Sequence, residues 1–252
     1  MVEPLTRNNS PLIPSSNSIN FAAQIENNNA QLRGSVLPEV IELPENHLFN
    51  VFNLLLLENK HRLVKQLKEC YEPNVHGHKT WASSFLLMDY FQTHRIIKRS
   101  TQAIELGCGW GAAAIYCAKN GARSVTGLDI DENVFPYMDV QAALNSVEIK
   151  KMKKSYDKLT GKQLSEFNLI MGADICFWDD LSKMLGKMIK RALNNGVKRI
   201  VLADPGRSPF YDLADHCDNF ANVTLSEWYV CDPEYYEGFI LDITPKSVSK
   251  KN

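Results

Sequence analysis

Residues 105–111 read "ELGCGWG", with glycines at every second position two residues behind a glutamate. Glycine is used where a backbone must turn tightly or let another molecule come close. The apolar run before the loop, "QAIEL" at 102–106, predicts a strand, and 110–120 predicts a helix. The loop therefore sits at the carboxyl edge of a strand, which is where open α/β sheets bind ligands.

Working outward, short apolar runs alternate with helical stretches. Strands are expected near 102–106, 124–129, 147–151, 167–172 and 198–203, with helices at 110–120, 133–146, 178–194 and about 208–217. The helix at 178–194 has an apolar stripe of Leu181, Met184, Leu185, Met188, Ile189, Ala192 and Leu193, ended by Asn195-Gly196. Such alternation predicts a parallel sheet with helices on both faces. The C-terminal end breaks the rule: "NVTLSEWYV" (222–230) and "EGFILDITPK" (237–246) have only "CDPEYY" between them. A parallel pair needs a crossover of about a dozen residues, so these two strands are expected to be antiparallel.

Upstream, residues 1–45 are expected to form a flexible leader, since 1–35 is rich in Asn, Ser and Pro and Pro38 and Pro44 bracket a transition. Residues 46–99 are expected to be an N-terminal helical extension: "LFNVFNLLLL" (48–57) reads as a buried helix within a helical stretch reaching Tyr71, and 80–94 as a second helix. The chemistry-bearing domain then covers 100–246, with a tail at 247–252.

The 252 residues, 44% hydrophobic, suffice for a substantial core, and a net charge of -1 provides no general attraction to nucleic acid or anionic lipid. Six scattered cysteines without a C-x-x-C pair argue against a zinc site and for reduced thiols in a cytoplasmic protein. No apolar signal core is visible, and the apolar patch at 48–57 is too short for a span of about 20 residues, so no membrane partner is expected.

Asp129 closes the second strand 22 residues after Gly107, where an acid can accept ribose hydroxyls. "GCGWGA" also fits the dinucleotide pattern G-x-G-x-x-A, so the loop alone leaves two cofactors open. Glu105 favours S-adenosylmethionine, because an acid suits an ammonium and not a pyrophosphate, and the terminal hairpin departs from a dinucleotide domain.

On these residues, "AIELGCGWGAAAIYCAKNGARSVTGLDID" resembles motif I and the following acidic motif of class I, seven-strand methyltransferases. The resemblance implies a Rossmann-like seven-strand sheet over 101–245 and S-adenosylmethionine as methyl donor. "GADICFWDDL" (172–181), "VLADPGRSPF" (201–210) and "HKTWASSFLLMDYF" (78–91) narrow the likeness to the family 16 group, which includes lysine methyltransferases. That group's D-x-x-Y falls on Asp174-Ile175-Cys176-Phe177, with phenylalanine in place of tyrosine.

The resulting cofactor-binding candidates are Glu105, Gly107, Cys108, Gly109, Gly111, Asp129, Tyr156, Asp157, Asp174 and Trp81. Tyr156 is the candidate to stack on adenine, with Asp157 beside it, and Trp81 either covers the cofactor or packs. Asp174 and Phe177 are the catalytic candidates. Asp174 either orients the accepting amine or caps the helix after it. Asp204 either lines the substrate mouth or shapes an Asp-Pro turn. His76 and His78 lack the companions a metal site needs, and none is expected. "IKKMKK" (149–154) reads as a solvated strand end, and N-P-P-[YF] is missing at 172–177, so nucleic acid is not the expected substrate. The expected activity is methyl transfer to nitrogen of a protein lysine. The alternatives are a small-molecule N- or O-methyltransferase, or a scaffold that binds the cofactor without catalysis.

Overall fold

The computed structural model describes residues 46–246 apart from Val75; the expected leader at 1–45 and tail at 247–252 lie outside the described residues. The chain opens with a two-stranded hairpin, β1 (Leu48–Val51) and β2 (Leu54–Leu57), followed by α1 (Arg62–Cys70) and α2 (Ser83–Thr93). Then come β3 (Gln102–Leu106), α3 (Ala112–Lys119), β4 (Ser124–Asp129), α4 (Phe135–Leu144), β5 (Lys150–Lys153) and the one-turn α5 (Gly161–Leu164). β6 (Leu169–Ala173), α6 (Asp179–Asn194), β7 (Arg199–Asp204), α7 (Ser208–Asp218), β8 (Ala221–Val230) and β9 (Tyr236–Pro245) complete it.

The seven-stranded sheet has the order β5-β4-β3-β6-β7-β9-β8. Neighbours from β5 to β7 are parallel, and β9 runs antiparallel to both β7 and β8. The expected terminal hairpin is present, and the third parallel strand lies a little later than the 147–151 expected. Strand order reverses between β3 and β6, so the loops after these two strands flank a crevice.

Period-two alternation sends successive side chains to the two faces of the sheet. Ala103, Leu169, Met171, Val201 and Ala203 join the core under α2 and α3, while Ile104, Ile170, Ile200 and Leu202 join that under α6 and α7. A buried polar knot ties α2 to the sheet: the Tyr90 hydroxyl donates to Asp242 Oδ2 at 2.6 Å, and Arg199 Nε donates to Asp242 Oδ1 at 2.9 Å.

Residues 48–57 correct the sequence expectation of a helix. Phe52 and Asn53 adopt φ of 49° and 60°, the two left-handed residues that a two-residue hairpin turn requires. The open edge of β2 is met by side chains of α4 and its cap. Asn145 bonds the Leu55 N–H at 2.9 Å and carbonyl at 2.7 Å, and Gln141 does the same for Leu57 at 3.0 and 3.1 Å. Two amides one helical turn apart thus stand in for a third strand, satisfying backbone groups that would otherwise be costly to bury.

Candidate functional site

The loop after β3 holds Gly107, Gly109 and Gly111 at φ of 58°, 50° and 73°, in the left-handed region. A side chain at Gly107 would meet Ile175 at 2.9 Å and one at Gly111 would meet Met138 at 2.6 Å, whereas one at Gly109 would meet nothing within 4 Å among the described residues. The outer glycines are thus demanded by packing, and the middle one opens on free space. Trp110 pins the loop by stacking on Tyr137 (5.2 Å between centroids, 4° between planes) and donating from Nε1 to Gly77 O at 2.9 Å.

The loop forms one wall of a cleft of about 1050 Å³, counting its mouth. Glu105, at the end of β3, lines it although only 2% exposed, and its Oε2 accepts the Ala114 N–H at 2.8 Å. Burial pushes its carboxyl up to about 8 against the pull of the Ala114 bond, so at neutral pH it is largely protonated and ready to ionise beside a cation. Asp129, at the end of β4, accepts from Gly109 N–H through Oδ2 and from Asp131 N–H through Oδ1, both at 3.0 Å. Each carboxylate oxygen can accept more than one bond, so both keep capacity for hydroxyls of a ligand. Cys108 contributes to the wall, while its sulfur packs with Val134, Phe135 and Met138; burial holds the thiol well above its ordinary value.

Asp174 follows β6 with φ of 54° and is 4% exposed. It does not cap α6: the capping position belongs to Trp178, which makes no side-chain cap bond. Instead Asp174 Oδ1 pairs with Arg207 Nη1 at 3.0 Å, and its Oδ2, although buried, has no hydrogen-bond partner among the described residues. Arg207 Nη1 also meets Asp204 Oδ2 at 2.7 Å, and Asp204 Oδ1 accepts the Gly206 and Arg207 N–H groups at 3.0 and 2.9 Å. Asp204 therefore builds the turn and braces Arg207; it does not line the cleft.

Aromatic side chains close the Asp174 end. Phe177 stacks on His76 (4.9 Å, 24°), Arg207 lies 4.7 Å from the Phe177 centroid, and Trp178 stands 5.7 Å away, 60% exposed. Trp81 lines the cleft, with its Nε1 donating to His76 O at 2.9 Å and Lys79 over its ring at 4.5 Å. His78 contacts Trp81 at 5.6 Å, so both histidines serve this aromatic wall. Tyr156 also lines the cleft, and burial pushes its phenol up to about 12.

The structure thus brings Glu105, the three glycines, Cys108, Asp129, Tyr156, Asp174, Phe177 and Trp81 around one cleft. Asp157 is not among the residues that line it. The short 156–158 turn directs its carboxylate to Lys158 at 3.1 Å and to the hydroxyl of Ser155, which does line the cleft, so Asp157 stands one residue behind the wall. Sequence reasoning missed Trp110, Ile130 (59% exposed in the cleft beside Asp129) and Trp178. All three are adjacent to predicted positions (Gly109 and Gly111, Asp129, and Phe177), and neighbourhood was the one signal that pointed to them.

An acid at depth, a second acid beside an open glycine and apolar walls suit a ligand with a cationic end and a hydroxyl-bearing ring. Comparison with known proteins agrees. Residues 103–196 match the family described as methyltransferase domain. The electron transfer flavoprotein beta subunit lysine methyltransferase of Xenopus laevis is 26% identical over 149 residues, 58% of this chain and 60% of that protein. The mouse histidine protein methyltransferase 1 homolog is 30% identical over 114 residues, 40% of this chain and 31% of that protein. The chain thus spans three-fifths or less of the length of these two relatives. Among solved structures, the methyltransferase domain of bacterial CtHen1 aligns at a TM-score of 0.51 and 12% identity, over 64% of this chain and 98% of that one, which speaks for the fold alone.

Proposed function

We propose that this chain, whose residues 103–196 match a methyltransferase domain, is a class I, S-adenosylmethionine-dependent enzyme that methylates the amine of a lysine side chain in a protein. The observation that carries the acceptor assignment is the buried Asp174 carboxylate with an unpartnered Oδ2 at the aromatic end of the cleft. The names of the relatives, a lysine and a histidine protein methyltransferase, support a protein acceptor.

Glu105 holds the ammonium of the donor, Asp129 its ribose hydroxyls, the open backbone at Gly109 its close approach, and Tyr156 and Ile130 its base. S-adenosylmethionine supplies an already activated sulfonium methyl, so the protein's task is alignment, which in well-oriented systems is worth roughly 7–11 kcal/mol. An accepting amine must be neutral, yet free lysine titrates at about 10.4. Transfer from water into a wall of Phe177, Trp178 and Trp81 favours loss of its proton. Asp174 Oδ2 then accepts a hydrogen bond from the amine and points its lone pair, while Arg207 balances the carboxylate charge.

Radiolabelled donor added to the purified protein with a host lysate tests this. Nuclease-resistant label in a discrete protein band is the expected result. Label confined to small molecules would overturn the protein acceptor, and no label despite donor binding would overturn catalysis.

A further inference from the structure

The turn Asp204–Arg207 joins the cleft to a second surface. On one side, Arg207 lies 4.7 Å from the Phe177 centroid. On the other, a side chain at Gly206 would meet Phe239 of β9 at 2.8 Å and the Tyr211 hydroxyl at 3.0 Å. Glu237 shares the Phe239 face of β9 by strand alternation, and the register sets Glu227 opposite Phe239 and Tyr229 opposite Glu237. A continuous track therefore leads from Asp174 past Phe177 and Arg207 to the outer end of the β8–β9 hairpin.

The outer end of that track is acidic and aromatic. Tyr229 and Tyr235 are 63% and 64% exposed, with ring centroids 6.3 Å apart. Glu227, Asp232, Glu234 and Glu237 are exposed, and none forms an ion pair among the described residues. No Lys or Arg occurs from 222 to 245. Arg207, the cation on the track, is already met by Asp174 and Asp204. At the inner end, Asp174 is buried with Oδ2 unpartnered.

We propose that this track binds a lysine- or arginine-rich segment of the protein substrate, with the target lysine at Asp174 and neighbouring cations along the hairpin carboxylates. The proposal rests on the lysine-acceptor reading above and adds the chemical class of the sequence around the target. One exposed ion pair is worth little, but several like charges that form no ion pair among the described residues, with Lys79 near Glu234 as a neighbouring cation, steer an oppositely charged partner and speed its association. The exposed tyrosines add apolar area and faces for cations. Polyanions such as RNA are repelled by the same carboxylates.

The test is fluorescence anisotropy with the full chain saturated with S-adenosylhomocysteine and two short labelled peptides. Both carry one central lysine, flanked in one by arginines and in the other by glutamates. The arginine-flanked peptide is expected to bind about tenfold more tightly or better, and less tightly as salt rises. The double variant Glu227→Lys/Glu237→Lys abolishes that preference while S-adenosylhomocysteine affinity stays unchanged. Equal binding of the two peptides, binding of neither, or a preference the variant retains would overturn the proposal. The readout needs no turnover, so it separates the two readings. A basic preference without labelled protein in the lysate assay leaves the track standing and fails the lysine reading, and labelled protein without the preference does the reverse.

Discussion

Asp174 and Arg207 meet at 3.0 Å, and the same guanidinium nitrogen reaches Asp204 at 2.7 Å, so one cation ties together the ends of β6 and β7 and leaves Asp174 Oδ2 unpartnered. Both oxygens of Asp204 are engaged by this arginine and the turn amides, so Asp174 Oδ2 is the oxygen of the pair left to accept a hydrogen bond from an acceptor amine.

Asp174→Asn keeps the shape and tolerates the left-handed backbone equally well, and Arg207 retains Asp204 as partner. We predict a fall in turnover of about 10²-fold or more with donor affinity within about twofold by calorimetry. Turnover close to that of the unmodified protein would remove Asp174 from the acceptor site and make its pairing with Arg207 purely structural.

Most of the sheet was legible from residue pattern alone, because buried parallel strands between amphipathic helices carry strong apolar signals, as in "RIVLA" and the α6 stripe. The hairpin at 48–57 was not, for a physical reason. A run of ten mostly apolar residues has no clear period, and the turn uses Phe52-Asn53 in place of the glycine-bearing pairs that mark such turns. The glycines and Asp129 were legible by spacing, and Asp174 through the resemblance of residues 172–181 to the family 16 group. That Asp204 serves the turn, that Asp157 stands behind Ser155 and not in the cleft wall, and that Tyr229 and Tyr235 flank an acidic face all depend on side-chain direction, which strand and loop assignments do not provide.

The Tyr90–Asp242–Arg199 knot offers a separation of stability from function. Burial and the Asp242 bond push the Tyr90 phenol up to about 12, so it remains a donor throughout the useful pH range. Tyr90→Phe leaves Asp242 with Arg199 but deletes one buried bond, for which we predict a loss of about 1–3 kcal/mol in urea denaturation. Donor affinity should not change, since the knot lies outside the cleft lining. A change in donor affinity comparable to the change in stability would show that α2 couples to the cleft.

Glu105 gives a pH signature whose sign follows from its burial. Its carboxyl moves from 4.5 to about 8 on folding, so between those values the native state keeps a proton that the unfolded state has lost. Stability therefore falls as pH rises through this window and levels off above it. Glu105→Gln removes that slope while preserving an acceptor for the Ala114 N–H. Denaturation at about pH 5 and about pH 8 should show the native protein losing on the order of a few kcal/mol relative to the variant. Parallel pH profiles would mean that the carboxyl is not shifted. Donor binding at neutral pH should also release a proton, seen as a buffer-dependent binding enthalpy that Glu105→Gln abolishes.

The loop glycines separate packing from ligand approach. Gly111→Ala sets a methyl 2.6 Å from Met138, and Gly107→Ala sets one 2.9 Å from Ile175, in addition to the left-handed strain at each. Both should lose roughly 1–3 kcal/mol of stability, Gly111→Ala more because Met138 is fully buried and cannot move aside. Gly109→Ala meets nothing within 4 Å and carries the backbone strain alone, about 1 kcal/mol. Its methyl, however, stands in the space that the donor must enter, so donor affinity should fall about tenfold or more in the variant with the smallest loss of stability. Urea denaturation and donor calorimetry on the three variants check the crossing of the two orders. If Gly109→Ala bound donor as tightly as the unmodified protein, the donor would not lie against the middle of this loop, and the assignments of Glu105 and Asp129 to its two ends would fall with it.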